Sequence, residues 1–421
     1  MGEKLDNIYS IYGITDNPFP KTPTIRIDNP DKRMNGSIFF EGIFPEQISK
    51  FRELLENRTN MIYVRGFQYN RGDGKSALMA HAFYIYKNKR DTAVAFIRCT
   101  GNKGNVRSIN HYCIEIIRQL HQRGYLWKAF SVLINKFISD STKYAYAKPN
   151  FVRMFKDNPT PPYKLKFTAY TTIYRIDVFT KAFTEWISEN VGCNPKFAKE
   201  LSKIYLTNPA NLENDILKKN SDKIEDIGNC LKMLKAGGFD WCYFFLDQME
   251  DSLNIPVSAL NNFTSSLRRV LEKSSNYATI VATLHPESAR NLLDIPEGRI
   301  NIQSFAPLNE QHYVMLYAED MLKENRGGEL IETYMREFAI DGSDSSKSSP
   351  IDPQVSTYIT SYCEGNLRDI LRTMHHVILF AANKKQQEID MNFIKSNHKE
   401  TMGKEFSNDA YQQFLTSIQH D

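Results

Sequence analysis

Short, mainly apolar runs alternate in this sequence with amphipathic stretches that have a helical period. The apolar runs are Met61 to Val64, Ala93 to Ile97, Cys242 to Leu246, Thr279 to Ala282 and Ile300 to Ile302. A run without polar alternation fits a strand that is buried on both faces, and strands separated by helices pair in parallel. The order of these elements therefore predicts an α/β chain with a parallel sheet covered by helices.

The length of 421 residues predicts roughly two to three domains. Residues 1–44 are rich in Pro and Asn and predict an extended N-terminal arm, and residues 45–308 predict the core. The stretch at about 124–238 is too long to be a connection between strands, so we interpret it as an inserted helical subdomain. Residues 309–402 predict a helical lid domain, and residues 403–421 predict a polar tail that frays.

Two helices are expected in the lid. Asn309 is in a position to cap the first, which would carry Val314, Tyr317, Met321 and Leu322 and end at Gly327-Gly328. The second is expected after Gly365-Asn366, where apolar residues recur at helical spacing.

Composition excludes several classes of protein. Hydrophobic residues make up 41% of the chain and charged residues 24%, which argues against disorder and against a fibre. The six cysteines are widely spaced, which predicts buried thiols in a reducing compartment rather than a disulfide frame or a metal site. No run approaches the ~18 apolar residues of a membrane span, and the N-terminus lacks a signal-peptide pattern. We therefore expect a cytoplasmic protein without a membrane partner.

A glycine-containing turn between the first run and a helix predicts a phosphate site. The residues expected to bind are Arg71, Gly72, Asp73, Gly74, Lys75, Ser76 and Ala77. Glycines let backbone N–H groups approach phosphates, the lysine neutralises them, and the serine hydroxyl is a ligand for Mg²⁺. The usual spacing places a glycine at position 69, where this chain has Tyr69, and the nearest upstream glycine is Gly66. The alternative is a glycine turn that happens to precede Lys and Ser.

The third apolar run ends in an acid, Asp247, that suits the other half of such a site. A carboxylate at the end of a strand completes the Mg²⁺ shell in nucleotide-binding proteins of this kind. Gln248 follows, at a position where many ATPases have a glutamate that polarises water, and Glu250 is the substitute expected to act as the base. Without the upstream turn, Asp247 would be an ordinary end of a buried strand.

Five segments in this order resemble AAA+ and STAND-type ATPases: RGDGKSAL, FFLDQMED, TIVATLHPES, SFAPLNEQ and EGNLRDILR. Within them the chain is similar to origin-recognition and transposon-regulator ATPases, and to ATP-binding proteins of BREX phage-defence systems. The resemblance implies a P-loop NTPase fold, a parallel αβα sheet with a helical lid, that binds ATP and Mg²⁺. It covers most of residues 12–385 outside the insert.

The resemblance also implies roles for individual residues. Thr283 would be the polar sensor at the end of the fourth strand, and Arg368 would reach from the lid to the γ-phosphate. Arg299 would be the arginine finger inserted into a neighbouring subunit, with Arg268 and Arg269 as competing candidates. Each of these residues also has an ordinary structural interpretation, either as a hydroxyl at a strand end or as a surface arginine.

A basic and aromatic stretch at 143–175 suggests contact with nucleic acid. Cations for phosphates interleave there with rings that can stack on bases. The candidate residues are Lys143, Lys148, Arg153, Lys156, Lys164 and Lys166. The alternative is a solvated lysine face over an aromatic core.

These patterns predict an ATP-binding and ATP-hydrolysing switch in a DNA-directed process, such as phage defence or transposition. Self-association or a protein effector, and DNA, are the expected macromolecular partners. The alternative is a nucleotide-dependent module that hydrolyses poorly and recruits a protein partner without binding DNA. A kinase that uses the same turn is a third hypothesis, although the chain shows no acceptor site.

Overall fold

A five-stranded, all-parallel sheet organises the part of the chain that the structure describes. The computed structural model describes residues 7–66, 72–99, 108–140, 176–207, 212, 216–218, 221–249, 257–285, 311–324, 326–340 and 350–417. The strands are β1 (Met61–Gly66), β2 (Thr92–Arg98), β3 (Trp241–Asp247), β4 (Ala278–Leu284) and β5 (Tyr313–Leu316), in the spatial order β2-β3-β4-β1-β5. The predicted α/β class is confirmed, while the expected strand at 300–302 lies outside the described residues.

Fifteen α-helices lie in the described ranges. They are α1 (Lys32–Asn35), α2 (Pro45–Glu56), α3 (Lys75–Lys87), α4 (Ile109–Gln122), α5 (Tyr125–Asp140), α6 (Ile176–Val191), α7 (Pro195–Thr207), α8 (Lys223–Ala236), α9 (Val257–Ser274), α10 (Arg326–Glu337), α11 (Pro353–Tyr362), α12 (Leu367–Asn383), α13 (Met391–Ser396), α14 (His398–Met402) and α15 (Asn408–Ser417). Short 3₁₀ segments occur at Ile8–Tyr12, Glu41–Ile43 and Ala318–Leu322. None of these helices is long and apolar enough to cross a membrane.

The central strands are apolar throughout because both of their faces are buried. In the parallel register Phe244 of β3 lies opposite Ala95 of β2 and Ile280 of β4, and all three belong to one buried cluster. The next residue along β3, Phe245, points to the other face, where Phe83 of α3 packs edge-on at 6.3 Å between ring centres. Burial on both faces removes the polar alternation of a half-exposed strand, so the sequence shows an unbroken apolar run.

The chain divides into two compact units. The first unit contains Met1–Glu53, Val64–Ala82 and Val314–Asp421. The second contains Leu54–Tyr63 and Phe83–Tyr313. Each unit is therefore assembled from segments that are distant in the sequence.

In the first unit the N-terminal arm is fixed to the C-terminal helices. The Asn17 side-chain amide donates to the carbonyl of His375 at 3.0 Å, and the Thr15 N–H donates to the carbonyl of Phe338 at 2.8 Å. Phe19 is fully buried and stacks on Tyr334 at 5.8 Å between ring centres. Since polar groups of this proline-rich arm find partners in the C-terminal segment, the arm is ordered without long elements of its own.

In the second unit, helices α5, α6 and α7 enclose an aromatic core. Phe130 and Phe183 meet edge to face at 5.3 Å, and Phe137 meets Phe179 in the same way at 5.4 Å. Edge-to-face contacts add to the free energy gained from burying these rings. The helical character predicted at about 124–238 is observed in α5 to α8, and a separate inserted subdomain stays a prediction.

The expected helix that begins near Asn309 is wrong. Tyr313–Leu316 is a strand, and Ala318–Leu322 is a 3₁₀ segment. The N–H of Tyr63 donates to the carbonyl of His312 at 2.7 Å, so pairing with β1 starts at the residue before β5. Pairing with a neighbouring strand outweighs the helical period of the apolar residues in this segment.

Gly327-Gly328 does not end a helix but lies at the start of α10. A Cβ built on Gly327 would lie 1.9 Å from Oγ1 of Thr360 in α11. The glycine is needed because α10 and α11 approach closely, and it is not a stop signal.

The C-terminal residues 408–417, which composition predicts to fray, form helix α15. Tyr411 and Phe414 are buried, and both rings lie edge-on to Tyr358 of α11, at 5.7 and 5.3 Å. Two aromatic anchors therefore hold a segment whose average composition is polar.

The prediction of buried thiols is confirmed for five of the six cysteines, and Cys363 is partly exposed. Burial raises the pKa of Cys113, Cys193 and Cys242 to about 12. These thiols stay protonated near neutral pH, so they act as apolar core residues rather than as nucleophiles.

Candidate functional site

The glycine turn before α3 has backbone geometry that only glycine adopts readily. Gly72 and Gly74 have φ angles of 125° and 90°. A Cβ on Gly72 would lie 2.2 Å from Oδ1 of Asn366, and one on Gly74 would lie 2.6 Å from Cδ1 of Leu367. Both positions require glycine for conformation and for space. The turn leads directly into α3, whose N-terminus favours an anion.

Lys75, the first residue of α3, is paired within the turn. Its Nζ lies 3.1 Å from Oδ2 of Asp73, and the two side chains are only 11% and 1% exposed. A Cβ on Gly66, the last residue of β1, would lie 1.9 Å from the same Asp73 oxygen and 3.0 Å from Lys75 Nζ. The end of β1 therefore lies directly against this ion pair, and Gly66 leaves the space that the pair occupies.

The C-terminal segment Asn366–Leu367–Arg368 lies against the glycine turn. The Asn366 side chain caps α12 by accepting the N–H groups of Arg368 at 3.1 Å and Asp369 at 3.2 Å. A Cβ on Gly72 would lie 2.9 Å from Cβ of Arg368. Arg368, inferred from the family resemblance, is therefore placed beside the turn by a helix cap.

Three residues of this region were missed by sequence reasoning. Asn366 and Leu367 lie against the two glycines of the turn. Phe44, which precedes α2 and is 1% exposed, lies 3.3 Å from the position of a Cβ on Gly74. Asn366 had a usable signal, because an Asn before a helical pattern predicts a cap. Nothing local marks Phe44. The remaining predicted residues, Ser76 and Ala77, are partly exposed in the first turn of α3.

A second group of side chains collects where β2, β3 and β4 end. Asp247, the last residue of β3, is opposite Arg98 of β2 and is 2% exposed. The Thr283 hydroxyl accepts the N–H of Gln248 at 2.6 Å and lies 3.5 Å from Oδ1 of Asp247. Parallel strands end at the same edge of a sheet, so residues far apart in the chain meet there. The sequence-predicted Asp247 and Thr283 are thus brought together.

Gln248 is held in an unusual backbone conformation at this strand end. Its φ is 61°, in the left-handed region that costs free energy for a residue other than glycine. The Thr283 hydroxyl fixes its N–H, and Nε of Arg98 donates to its side-chain Oε1 at 3.1 Å. Arg98 was missed because its sequence context is that of any charged residue at the end of a buried strand.

The other predicted residues divide into those outside the described residues and those with ordinary partners. Outside the described residues lie Arg71, Glu250, Arg299, Lys143, Lys148, Arg153, Lys156, Lys164 and Lys166. Arg268 pairs with Glu272 at 2.9 Å, and Arg269 pairs with Asp222 at the start of α8. The two competing arginine-finger candidates are therefore engaged in surface ion pairs of their own unit.

Within the described ranges, no group of three or more His, Cys, Asp or Glu side chains could hold a metal ion. The oxygen donors predicted for Mg²⁺ are the Ser76 hydroxyl and the Asp247 carboxylate. Hydroxyl and carboxylate oxygens suit Mg²⁺, which binds proteins through one or two such ligands and fills its shell with phosphate and water oxygens. Each donor type suits this metal, and a Mg²⁺ site formed by both residues stays a prediction.

Comparison with known proteins adds no assignment. The chain matches no family model, and no curated protein is detectably similar to it in sequence. The functional interpretation depends on the geometry of the two residue groups.

Proposed function

We propose that this protein is a P-loop ATPase of the AAA+/STAND type. One observation carries the proposal: the two positive-φ glycines, with Lys75 at the start of α3, form a turn against which a capped helix places Arg368. A turn of this kind at a helix N-terminus supplies N–H groups, a helix dipole and a cation to a phosphate chain. The proposed architecture is a parallel sheet with helices on both faces, together with an inserted helical subdomain and a helical lid.

Several residues of the turn have a role in binding ATP. Gly72, Gly74 and Ala77 offer backbone N–H groups without a bulky side chain, and the Lys75 ammonium pairs with the β- and γ-phosphate oxygens. The Ser76 hydroxyl and Asp247 would hold Mg²⁺. When bound, the ion neutralises charge on the phosphate oxygens. The Arg368 guanidinium is suited to read the γ-phosphate because it binds phosphate oxygens in a planar, bidentate geometry.

The strand-end group suits slow hydrolysis. The Gln248 carboxamide cannot take a proton from water, and its Oε1 already accepts a hydrogen bond from Arg98. The amide nitrogen of Gln248 remains able to donate to an oxygen. Glu250 is the proposed base, and Arg299 is the proposed finger for a neighbouring subunit.

The γ-phosphate then biases a conformational or assembly equilibrium, since only the triphosphate reaches Arg368. We propose that this switch acts in a DNA-directed process, with the basic residues at 143–166 as the DNA contact. The pairing of Arg98 with Gln248 favours the second candidate, a module that binds ATP, hydrolyses it poorly and recruits a protein.

The test is ATP binding and turnover with and without double-stranded DNA, with Lys75→Ala as the blank. Turnover that DNA stimulates and Lys75→Ala abolishes supports the ATPase acting on DNA. ATP binding that Lys75→Ala abolishes, with negligible turnover and indifference to DNA, selects the recruiting module. Equal ATP titrations for the wild type and Lys75→Ala would reject the phosphate site altogether.

A further inference from the structure

A buried carboxylate lies inside the proposed phosphate turn. Oδ2 of Asp73 is 3.1 Å from Lys75 Nζ, and the Asp73 side chain is 1% exposed. The absence of a side chain on Gly66 lets this oxygen lie against the end of β1. The general requirements of a phosphate turn are glycines, a lysine and a hydroxyl, so nothing in them calls for an acid next to the lysine.

The charge of this acid opposes that of the ligand. Lys75 paired with Asp73 is close to a neutral unit, whereas an unpaired lysine presents a full positive charge to phosphates. Because the pair is shielded from water, solvent screens the Asp73 charge weakly. Phosphate oxygens that approach Lys75 therefore compete with the carboxylate for the ammonium and are repelled by it.

We propose that Asp73 determines the affinity and the metal requirement of this site by competing with phosphate for Lys75. The proposal rests on the proposed function of the turn as an ATP site. Because Asp73 neutralises Lys75 within the turn, a triphosphate must have part of its own charge neutralised by a divalent cation before it binds. The turn therefore selects the metal complex of the nucleotide over the free nucleotide.

The charge of the ligand gives the proposal a quantitative signature. Replacing Asp73 by the isosteric Asn removes one negative charge and keeps a hydrogen-bond acceptor of the same size. The resulting gain in affinity scales with ligand charge, since Coulomb energy is proportional to it. The gain is therefore largest for metal-free ATP, smaller for metal-free ADP, smaller again for ATP with Mg²⁺ and smallest for ADP with Mg²⁺.

Isothermal titration calorimetry of the full chain tests this inference with ATP and ADP, each in Mg²⁺ or in EDTA. We expect Asp73→Asn to tighten metal-free ATP binding by about tenfold and Mg²⁺–ATP binding by less. Asp409→Asn removes the same charge from the exposed start of α15 and should leave every affinity unchanged.

Several outcomes would overturn the inference. Equal or weaker ATP binding by Asp73→Asn, with Lys75→Ala still abolishing binding, would show that Asp73 positions the lysine instead of competing for it. Equal gains for all ligands would refute the electrostatic cause. If neither wild type nor Lys75→Ala binds ATP, the proposed function fails instead. Thermal unfolding checks that Asp73→Asn is folded, and Asp73→Ser serves as the second variant.

Discussion

The two groups of candidate residues are built in different ways. The glycine turn of the first unit is shaped by its backbone, because Gly72 and Gly74 adopt conformations and contacts that a Cβ would prevent. The strand end of the second unit is held by side-chain hydrogen bonds, in which Thr283 and Arg98 fix a strained Gln248 beside Asp247. The first kind of site tolerates no added atom, whereas the second depends on particular hydrogen bonds. Substitutions at the glycine turn and at the strand end should therefore have different effects.

The largest effect is expected at the turn. Gly72→Ala must place a methyl group 2.2 Å from Asn366 Oδ1 at a φ of 125°, so the turn has to move. We expect ATP affinity to fall at least about 100-fold, since small displacements of a positioned site have effects of this order. The free energy of unfolding should fall by about 1–3 kcal/mol. Calorimetry and urea unfolding measure the two quantities.

Gly403→Ala is the matched control for this substitution. Gly403 has a φ of 80°, belongs to the same unit, and has no atom within 4 Å of an added Cβ. It should lose about 1–2 kcal/mol from the left-handed conformation alone and keep its ATP affinity. Loss of ATP binding in Gly403→Ala would mean that global destabilisation, and not the turn, controls affinity.

The next effect is expected at the strand end. Thr283→Val leaves the Gln248 N–H without its acceptor and should destabilise the fold by about 1–3 kcal/mol. ATP turnover should fall with it, because Gln248 and Asp247 lose a shared partner. Thr279→Val is the control, since Thr279 lies on the same strand and accepts the indole N–H of Trp241 at 2.9 Å. If Thr279→Val loses a similar amount of stability but keeps its turnover, the lower turnover of Thr283→Val is due to the strand-end group and not to lower stability.

Strain at Gln248 predicts that stability and turnover move in opposite directions. Gln248→Gly relieves the left-handed conformation, and after the cost of a more flexible unfolded chain the free energy of unfolding should rise by about 0.5 kcal/mol. Turnover should fall roughly tenfold, because the carboxamide that Arg98 orients is absent. Equal turnover in Gln248→Gly and wild type would show that the strained side chain has no part in hydrolysis.

The smallest effect is a dependence of stability on pH. Burial lowers the pKa of His121, whose Nδ1 lies 2.9 Å from the Tyr205 hydroxyl, and of His81 despite its contact with Glu41. A base with a lowered folded pKa contributes full stability above its unfolded pKa of about 6.5 and loses it as the pH falls below that value.

Urea unfolding between pH 7.5 and 5 should therefore show stability decreasing toward acid. His121→Gln in the second unit and His81→Gln in the first should each reduce the loss of unfolding free energy between these two pH values, by less than about 1 kcal/mol. A slope that neither variant changes would show that other groups carry the acid sensitivity.

Much of the fold could be predicted because its signals are local. The apolar runs that became β1 to β4 were identified with errors of at most two residues at each end, since burial on both faces leaves a continuous hydrophobic pattern. The segment after residue 309 was mistaken for a helix because a four-residue strand is set by its neighbour, β1, and not by its own period. Gly327 was mistaken for a stop signal because its partner, Thr360, is distant in sequence.

The sequence alone determined the α/β class, the buried strands, the helix after Asn366 and the glycine turn at Gly72–Ser76, because each depends on the conformational preferences of neighbouring residues. Only the tertiary structure decided that Asn366 and Phe44 lie against that turn and that Arg98, Asp247, Gln248 and Thr283 meet at one edge. It also decided that Asp73, one residue among seven candidates, is buried against Lys75. These contacts join residues that share no local pattern, so they follow from parallel register and packing, which arise only when the chain folds.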